Sequence, residues 1–135
     1  VQLRRYDEML NRRREIIEMY NKELKSLNIQ VLKHYGENFS SSGHLYLTRI
    51  PKIKEYERNE LIIKMAEAGI ACNVHYKPLP MLTAYRKLGF DIKNYPNAFN
   101  QYVNEITLPL HTLLSNEEVG YVVENFKKVI ASKVV

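Results

Sequence analysis

The stretch Gly69-Ile70-Ala71-Cys72-Asn73-Val74-His75-Tyr76-Lys77-Pro78-Leu79-Pro80 constrains this chain more than any other. A helical pattern ahead of it stops at Gly69, which stands where a left-handed C-terminal cap belongs. The run from about Ala71 to Tyr76 then reads as a strand. Pro78 and Pro80 each fix φ and restrict the residue before them, so the chain must leave that strand as a stiff, extended loop. Helix, strand and rigid loop are compressed into one segment whose far end delivers an imidazole, a phenol and an ammonium. Burying such groups without partners is costly, so their clustering marks a place where a ligand is held.

The remaining elements follow from periodicity. Leu3, Tyr6, Leu10, Arg13, Ile17, Tyr20, Leu24 and Leu27 recur at spacings of three and four and, with Arg13 the exception, draw an apolar stripe down one helix ending near Asn28. At ~1.5 Å per residue that helix is about 36 Å long, more than a small domain needs, which predicts that it reaches beyond its own core. Ile29 to Leu32 reads as a short strand, residues 36–43 as a polar loop, and His44 to Ile50 as an alternating strand ending at Pro51. A helix over Tyr56 to Ala68 is expected to bury Leu61, Ile62, Met65 and Ala66. Met81 to Leu88 reads as a short helix closed by Gly89, and Pro96 opens another that runs to about Val103. Ile106 to Leu110 is a strand. Ser115 with Glu118 forms a capping box ahead of a helix whose stripe is Val119, Val122, Val123, Phe126, Val129 and Ile130. Without a βαβ rhythm, this order predicts an α+β fold. We expect a two-layer sandwich, with a small, mainly antiparallel sheet of three or four strands covered by helices and a long N-terminal helix.

At 135 residues the chain has the length of one domain, read as a connecting helix over 1–28 and an α+β body over 29–135. Cys72 is the sole cysteine, so no disulfide framework is available and a reducing, cytoplasmic setting is expected. No apolar run approaches the ~18 residues of a membrane span, and no signal-peptide pattern opens the chain. The net charge of +5 draws on Arg4, Arg5, Arg12, Arg13 and Arg14. With Glu8, Glu15, Glu18 and Glu23 at salt-bridge spacings these arginines read first as a solvated helix flank, and second as a face that attracts anions. The chain starts at Val1 and turns helical almost at once, which predicts a piece of a longer polypeptide.

His34, His44, His75 and His111 have no second ligand at a metal-binding spacing, so no metal site is expected. There is no glycine-rich phosphate loop and no nucleophile elbow. His44 opens one predicted strand and His75 closes another. Ten tyrosines on a basic chain admit a free-standing α+β module that binds nucleic acid or protein. No strand pairs aromatics as a base-stacking platform requires, so nucleic acid is the weaker expectation. A small hydrolase of unrecognised type is weaker still.

Several segments in order resemble one family. They are Ser41-Ser42-Gly43-His44-Leu45-Tyr46, Arg58-Asn59-Glu60-Leu61, Glu67-Ala68-Gly69-Ile70 and Val74-His75-Tyr76-Lys77-Pro78-Leu79-Pro80. Then come Ala84-Tyr85, Gly89-Phe90, Tyr95-Pro96-Asn97-Ala98, Thr107-Leu108-Pro109-Leu110-His111 and Leu114-Ser115-Asn116-Glu117-Glu118-Val119. Together they resemble the C-terminal small domain of the DegT/DnrJ/EryC1/StrS family, the pyridoxal-phosphate-dependent sugar aminotransferases of fold type I. Gly43 stands where many members carry an aromatic residue, which implies a more mobile loop. Pro80 stands where many carry histidine, which leaves that position without a polar role.

The resemblance implies a full enzyme that moves an amino group from an amino-acid donor, typically glutamate, to a nucleotide-linked keto-sugar, as amino-sugar and surface-polysaccharide pathways require. A large domain would hold the Schiff-base lysine and most of the pyridoxal phosphate contacts. Neither is recognisable here, so no catalytic residue is nominated and the piece alone is expected to be inactive. By resemblance His75 and Tyr76 face the sugar nucleotide, Asn73 and Lys77 support them, and His44 is a second-strand candidate. The partners implied are the chain's own large domain and a second copy of the full-length enzyme in a homodimer.

Overall fold

The computed structural model describes residues 2–132; the outermost residues of the expected domain, 1 and 133–135, lie outside them. After a 3-10 turn at Gln2–Arg5 comes helix α1 (Tyr6–Leu24), whose 19 residues make it about 28 Å long. It ends earlier than its apolar stripe suggests, because the Leu27 N–H folds back onto the Leu24 carbonyl at 3.0 Å. The stripe also divides. Ile17, Tyr20 and Leu24, joined by Ile16, are buried, whereas Leu3 and Tyr6 stay exposed. Arg13, the break in the stripe, sends Nη1 to the Ser42 carbonyl at 3.3 Å.

Short strands follow: β1 (Gln30–Val31), β2 (Tyr35–Gly36), β3 (Phe39–Ser40) and β4 (Tyr46–Arg49). β2 and β3 form a small antiparallel hairpin inside the segment read as a polar loop. The main sheet has the order β1-β4-β5, all antiparallel, with β5 at Glu105–Leu108. β4 keeps the predicted alternation, with Tyr46 and Thr48 inward. β5 is buried along its whole length and starts one residue earlier than expected; Pro109, which has no N–H to give, marks its end.

Four more α-helices follow among the described residues: α2 (Glu55–Glu67), α3 (Thr83–Lys87), α4 (Pro96–Asn104) and α5 (Asn116–Ala131). The capping box of α5 is formed as expected: the Glu118 N–H donates to Ser115 Oγ at 3.1 Å and the Ser115 N–H to Glu118 Oε2 at 2.8 Å. In α2 the buried face is rotated from the expected one. Leu61 and Met65 are buried, but Ile62 is only half-buried, Ala66 is exposed, and the third inward position belongs to Arg58. One core cluster draws on α1, β4, α2, β5 and α5. Among the described residues no helix is long and apolar enough to cross a membrane.

Two expectations around the loops need correction. Gly43 is buried with φ +60, and a Cβ there would sit 2.9 Å from Ile17 Cδ1, so the glycine lets the loop pack against α1 instead of loosening it. The strand expected over Ala71–Tyr76 does not form; the segment makes only one isolated bridge, Asn73 to Thr107. Gly69 is left-handed as predicted, with φ +74.

Candidate functional site

The missing strand has a specific cause. Asn73 and Thr107 exchange both backbone hydrogen bonds, at 3.2 and 2.8 Å, so an antiparallel ladder would next join His75 to Glu105. Side chains intervene. The His75 N–H donates to the Glu105 carboxylate, Oε2, at 2.8 Å, while the Glu105 carbonyl accepts from Arg58 Nη1 at 3.3 Å. Asn73 Oδ1 takes the Val74 N–H at 2.8 Å. Each backbone donor finds a side chain before it can find a neighbouring strand.

Glu105 and Thr107 are two residues apart on β5 and so lie on one face of it. The Thr107 hydroxyl donates to Glu105 Oε1, and Thr107 Oγ1 lies 2.8 Å from His75 Nδ1. Glu105 is fully buried. Burial pushes its carboxyl above the ordinary range, opposed by the Thr107 hydroxyl, the His75 N–H and the Arg58 charge. The Arg58 guanidinium, itself 1% exposed, binds the Tyr102 carbonyl at 3.0 Å and Asn59 Oδ1 at 2.9 Å and stacks 4.9 Å from the Tyr102 ring centroid. Burial, helped by His44, lowers the His75 pKa, so the imidazole is neutral at neutral pH.

Around this buried base the predicted residues are distributed unevenly. Tyr76 is 69% exposed and meets the His75 ring edge to face, with centroids 4.6 Å apart. His44 is exposed and close enough to His75 to bias its charge. Lys77 is exposed and lines an open depression of about 450 Å³ together with Arg86, Phe90 and Asp91. The Asn73 side-chain oxygen is turned to its own neighbour's backbone. The structure thus gathers His75, Tyr76 and His44, and places Lys77 one step along the loop. Glu105, Thr107 and Arg58 were missed from the sequence; a glutamate heading an apolar strand with threonine two residues on was the available signal.

The described residues do not fit a resident cofactor such as pyridoxal phosphate. Every described lysine except Lys127 is exposed, and so are Asp7 and Asp91, the chain's two aspartates. No buried ammonium and aspartate are available to anchor an aldehyde and a pyridine nitrogen. Burial raises the Cys72 thiol to about 12, which removes it as a nucleophile at neutral pH. No three His, Cys, Asp or Glu side chains among the described residues lie together as a metal site.

Comparison with known proteins places this geometry. The family model described as the DegT/DnrJ/EryC1/StrS aminotransferase family matches residues 1–127. The structure of a putative sugar aminotransferase, Spr1654 from Streptococcus pneumoniae in its PMP form, is similar over 100% of this chain and 34% of its own. Its TM-score is 0.95 at 52% sequence identity. The spore coat polysaccharide biosynthesis protein SpsC of Bacillus subtilis is 28% identical over 132 residues, 96% of this chain and 34% of SpsC. The UDP-4-amino-4,6-dideoxy-N-acetyl-beta-L-altrosamine transaminase of Campylobacter jejuni is 32% identical over 124 residues, 90% of this chain and 32% of the transaminase. The chain therefore spans about a third of the length of these relatives.

Proposed function

This chain belongs to the DegT/DnrJ/EryC1/StrS aminotransferase family, and we propose that it is the C-terminal small domain of a pyridoxal-phosphate-dependent enzyme that aminates a nucleotide-linked keto-sugar. Within that enzyme it closes one wall of the active-site cleft and contributes substrate contacts through His75 and Tyr76. The observation that carries this reading is a neutral imidazole held from behind by a buried carboxylate and hydroxyl, beside an exposed phenol, in a chain 52% identical to part of a sugar aminotransferase.

Spr1654 is known in PLP and PMP forms, which supports pyridoxal phosphate as the cofactor. Relatives that act on UDP- and dTDP-linked sugars support a nucleotide-sugar acceptor. Because the residues described here form no cofactor cradle, that role falls to a large domain supplied by the rest of the protein. The exposed N-terminal end of the chain suits docking to such a domain: Leu3 is 84% exposed, and Arg5, Met9 and Arg12 line a depression with Thr112 and Leu113, the latter 87% exposed. We further expect a homodimer, an amino-acid donor, and a cytoplasmic setting in keeping with the unpaired Cys72.

The test is amino transfer from glutamate to a panel of UDP-, dTDP- and GDP-linked 4-keto-sugars by the full-length protein with added cofactor. Turnover of at least one acceptor is expected, with a His75→Ala variant raising its KM about tenfold, as loss of a hydrogen bond to the substrate predicts. A full-length protein that turns over none, or binds cofactor through a lysine of these 135 residues, contradicts the division of labour.

A further inference from the structure

The groups behind His75 fix the sense in which its ring can hydrogen-bond. Both carboxylate oxygens of Glu105 are occupied, Oε2 by the His75 N–H at 2.8 Å and Oε1 by the Thr107 hydroxyl. An ionised carboxylate only accepts, so the single hydroxyl proton of Thr107 is committed to it. Oγ1 then meets His75 Nδ1, 2.8 Å away, with lone pairs alone, and Nδ1 must bring the proton. In a neutral imidazole that leaves Nε2 bare, and Nε2 has no hydrogen-bond partner among the described residues. The hydrogen bonds are those of the ionised form: Oε2 accepts the His75 N–H and Oε1 the Thr107 hydroxyl, so neither oxygen acts as a donor. Arg58, the one buried cation among the described residues, bonds the Glu105 carbonyl and not its carboxylate; its charge favours the ionised carboxyl from beyond ion-pair distance.

We propose that Glu105, acting through Thr107, is a positioning residue that locks the His75 imidazole in its Nδ1–H form, so that Nε2 accepts a hydrogen bond from a hydroxyl of the ligand. The lock concerns the ring alone; its consequence for affinity rests on the reading of His75 as a substrate contact. Reversing the carboxylate's polarity reverses the whole relay. In Glu105→Gln the amide oxygen must face the His75 N–H, which puts the amide NH2 against Thr107 Oγ1. The hydroxyl proton then turns toward Nδ1, and the ring takes its proton at Nε2.

The experiment is nitrogen NMR of the His75 ring in full-length, 15N-histidine-labelled protein at neutral pH, beside steady-state kinetics on an acceptor that the protein turns over. Wild type is expected to show a pyrrole-type Nδ1 and a pyridine-type Nε2, Glu105→Gln the reverse, and Thr107→Ser the wild-type pattern. In Glu105→Gln the acceptor KM is expected to rise about tenfold with kcat little changed, because a donor now faces a donor. A pyridine-type Nδ1 in wild type, or an unchanged ring in Glu105→Gln, overturns the lock. Inverted resonances with an unmoved KM uphold the lock and remove His75 from the substrate contacts. If Glu105→Gln does not fold, Thr107→Val reports instead: without a hydroxyl the ring should sample both forms, and a ring that keeps the wild-type pattern there overturns the lock equally.

Discussion

The two edges of β5 carry the same backbone groups and use them in opposite ways. Toward β4 the ladder is complete: all four residues pair, from Glu105 with Arg49 to Leu108 with Tyr46. The one side-chain hydrogen bond buried there, from Thr48 Oγ1 to the Ile106 carbonyl at 2.7 Å, simply reinforces the sheet. Toward Asn73 a single bridge forms, and beyond it a carboxylate and a guanidinium take the backbone donor and acceptor that a ladder would have joined. The paired edge gives stability and hides every polar group. The unpaired edge gives up part of that stability to keep a buried carboxylate and a buried guanidinium satisfied, and the half-buried His75 imidazole rests against them. Stopping the ladder after one bridge lets this sheet hold polar side chains at its edge without leaving buried groups alone.

The largest expected effect breaks the unpaired edge outright. Arg58→Met removes two carbonyl contacts and the cation beside buried Glu105, and should cost about 3 kcal/mol in chemical denaturation. A loss under about 1 kcal/mol means that the backbone, not the side-chain pair, holds that edge. A smaller effect sharpens the contrast between the edges. Thr48→Val and Thr107→Val each remove a buried hydroxyl bond and should each cost about 1 kcal/mol. Only Thr107→Val should also raise KM for the acceptor. Equal kinetic effects from the two valines erase the distinction between a structural edge and a functional one.

The paired edge was legible in the sequence and the unpaired edge was not. Alternation at Tyr46 and Thr48, the capping box at Ser115 and the glycine at position 69 are local signals with local outcomes, so the strand, the final helix and the left-handed cap appear where expected. The stretch 71–76 carries the same strand signal as β4, yet its pairing was decided by Glu105, thirty residues on from His75, and by an arginine on a third element. Local patterns do not encode such competition. For the same reason His75 and Tyr76, adjacent at a loop, could be nominated from the sequence, while the residues packed behind His75 could not. Arg58 was left out of the buried face expected for α2, since a charge is rarely the inward member of a helical stripe. Its hydrogen bonds to Asn59, Tyr102 and Glu105 and its ion pair with Glu55 explain how it can be.

The smallest expected effect lies in how stability and affinity vary with pH, and it separates the two edges by two histidines. His34 stacks on Tyr46 of the paired side, ring centroids 5.9 Å apart, and burial alone lowers its pKa; His75 is lowered by burial and by His44. For a base lowered on folding, the unfolded chain binds the proton more readily between the folded value and the ordinary one near 6.5. Stability is then full above about pH 6.5 and falls as the pH drops through that window. Glu105, raised by burial, acts with the opposite sign and costs stability as the pH rises through its own folded value. His34→Gln should therefore lessen the stability lost between about pH 7 and about pH 5 in denaturation curves, without touching the Glu105 slope. Affinity should behave differently. On the proposed substrate contact, protonating His75 would put a proton on the nitrogen that accepts from the ligand, so the acceptor KM should rise as the pH falls through the lowered His75 value, and His34→Gln should leave that curve in place. A KM profile that moves with His34 ties the site to the paired side of the sheet and removes the independence of the two edges.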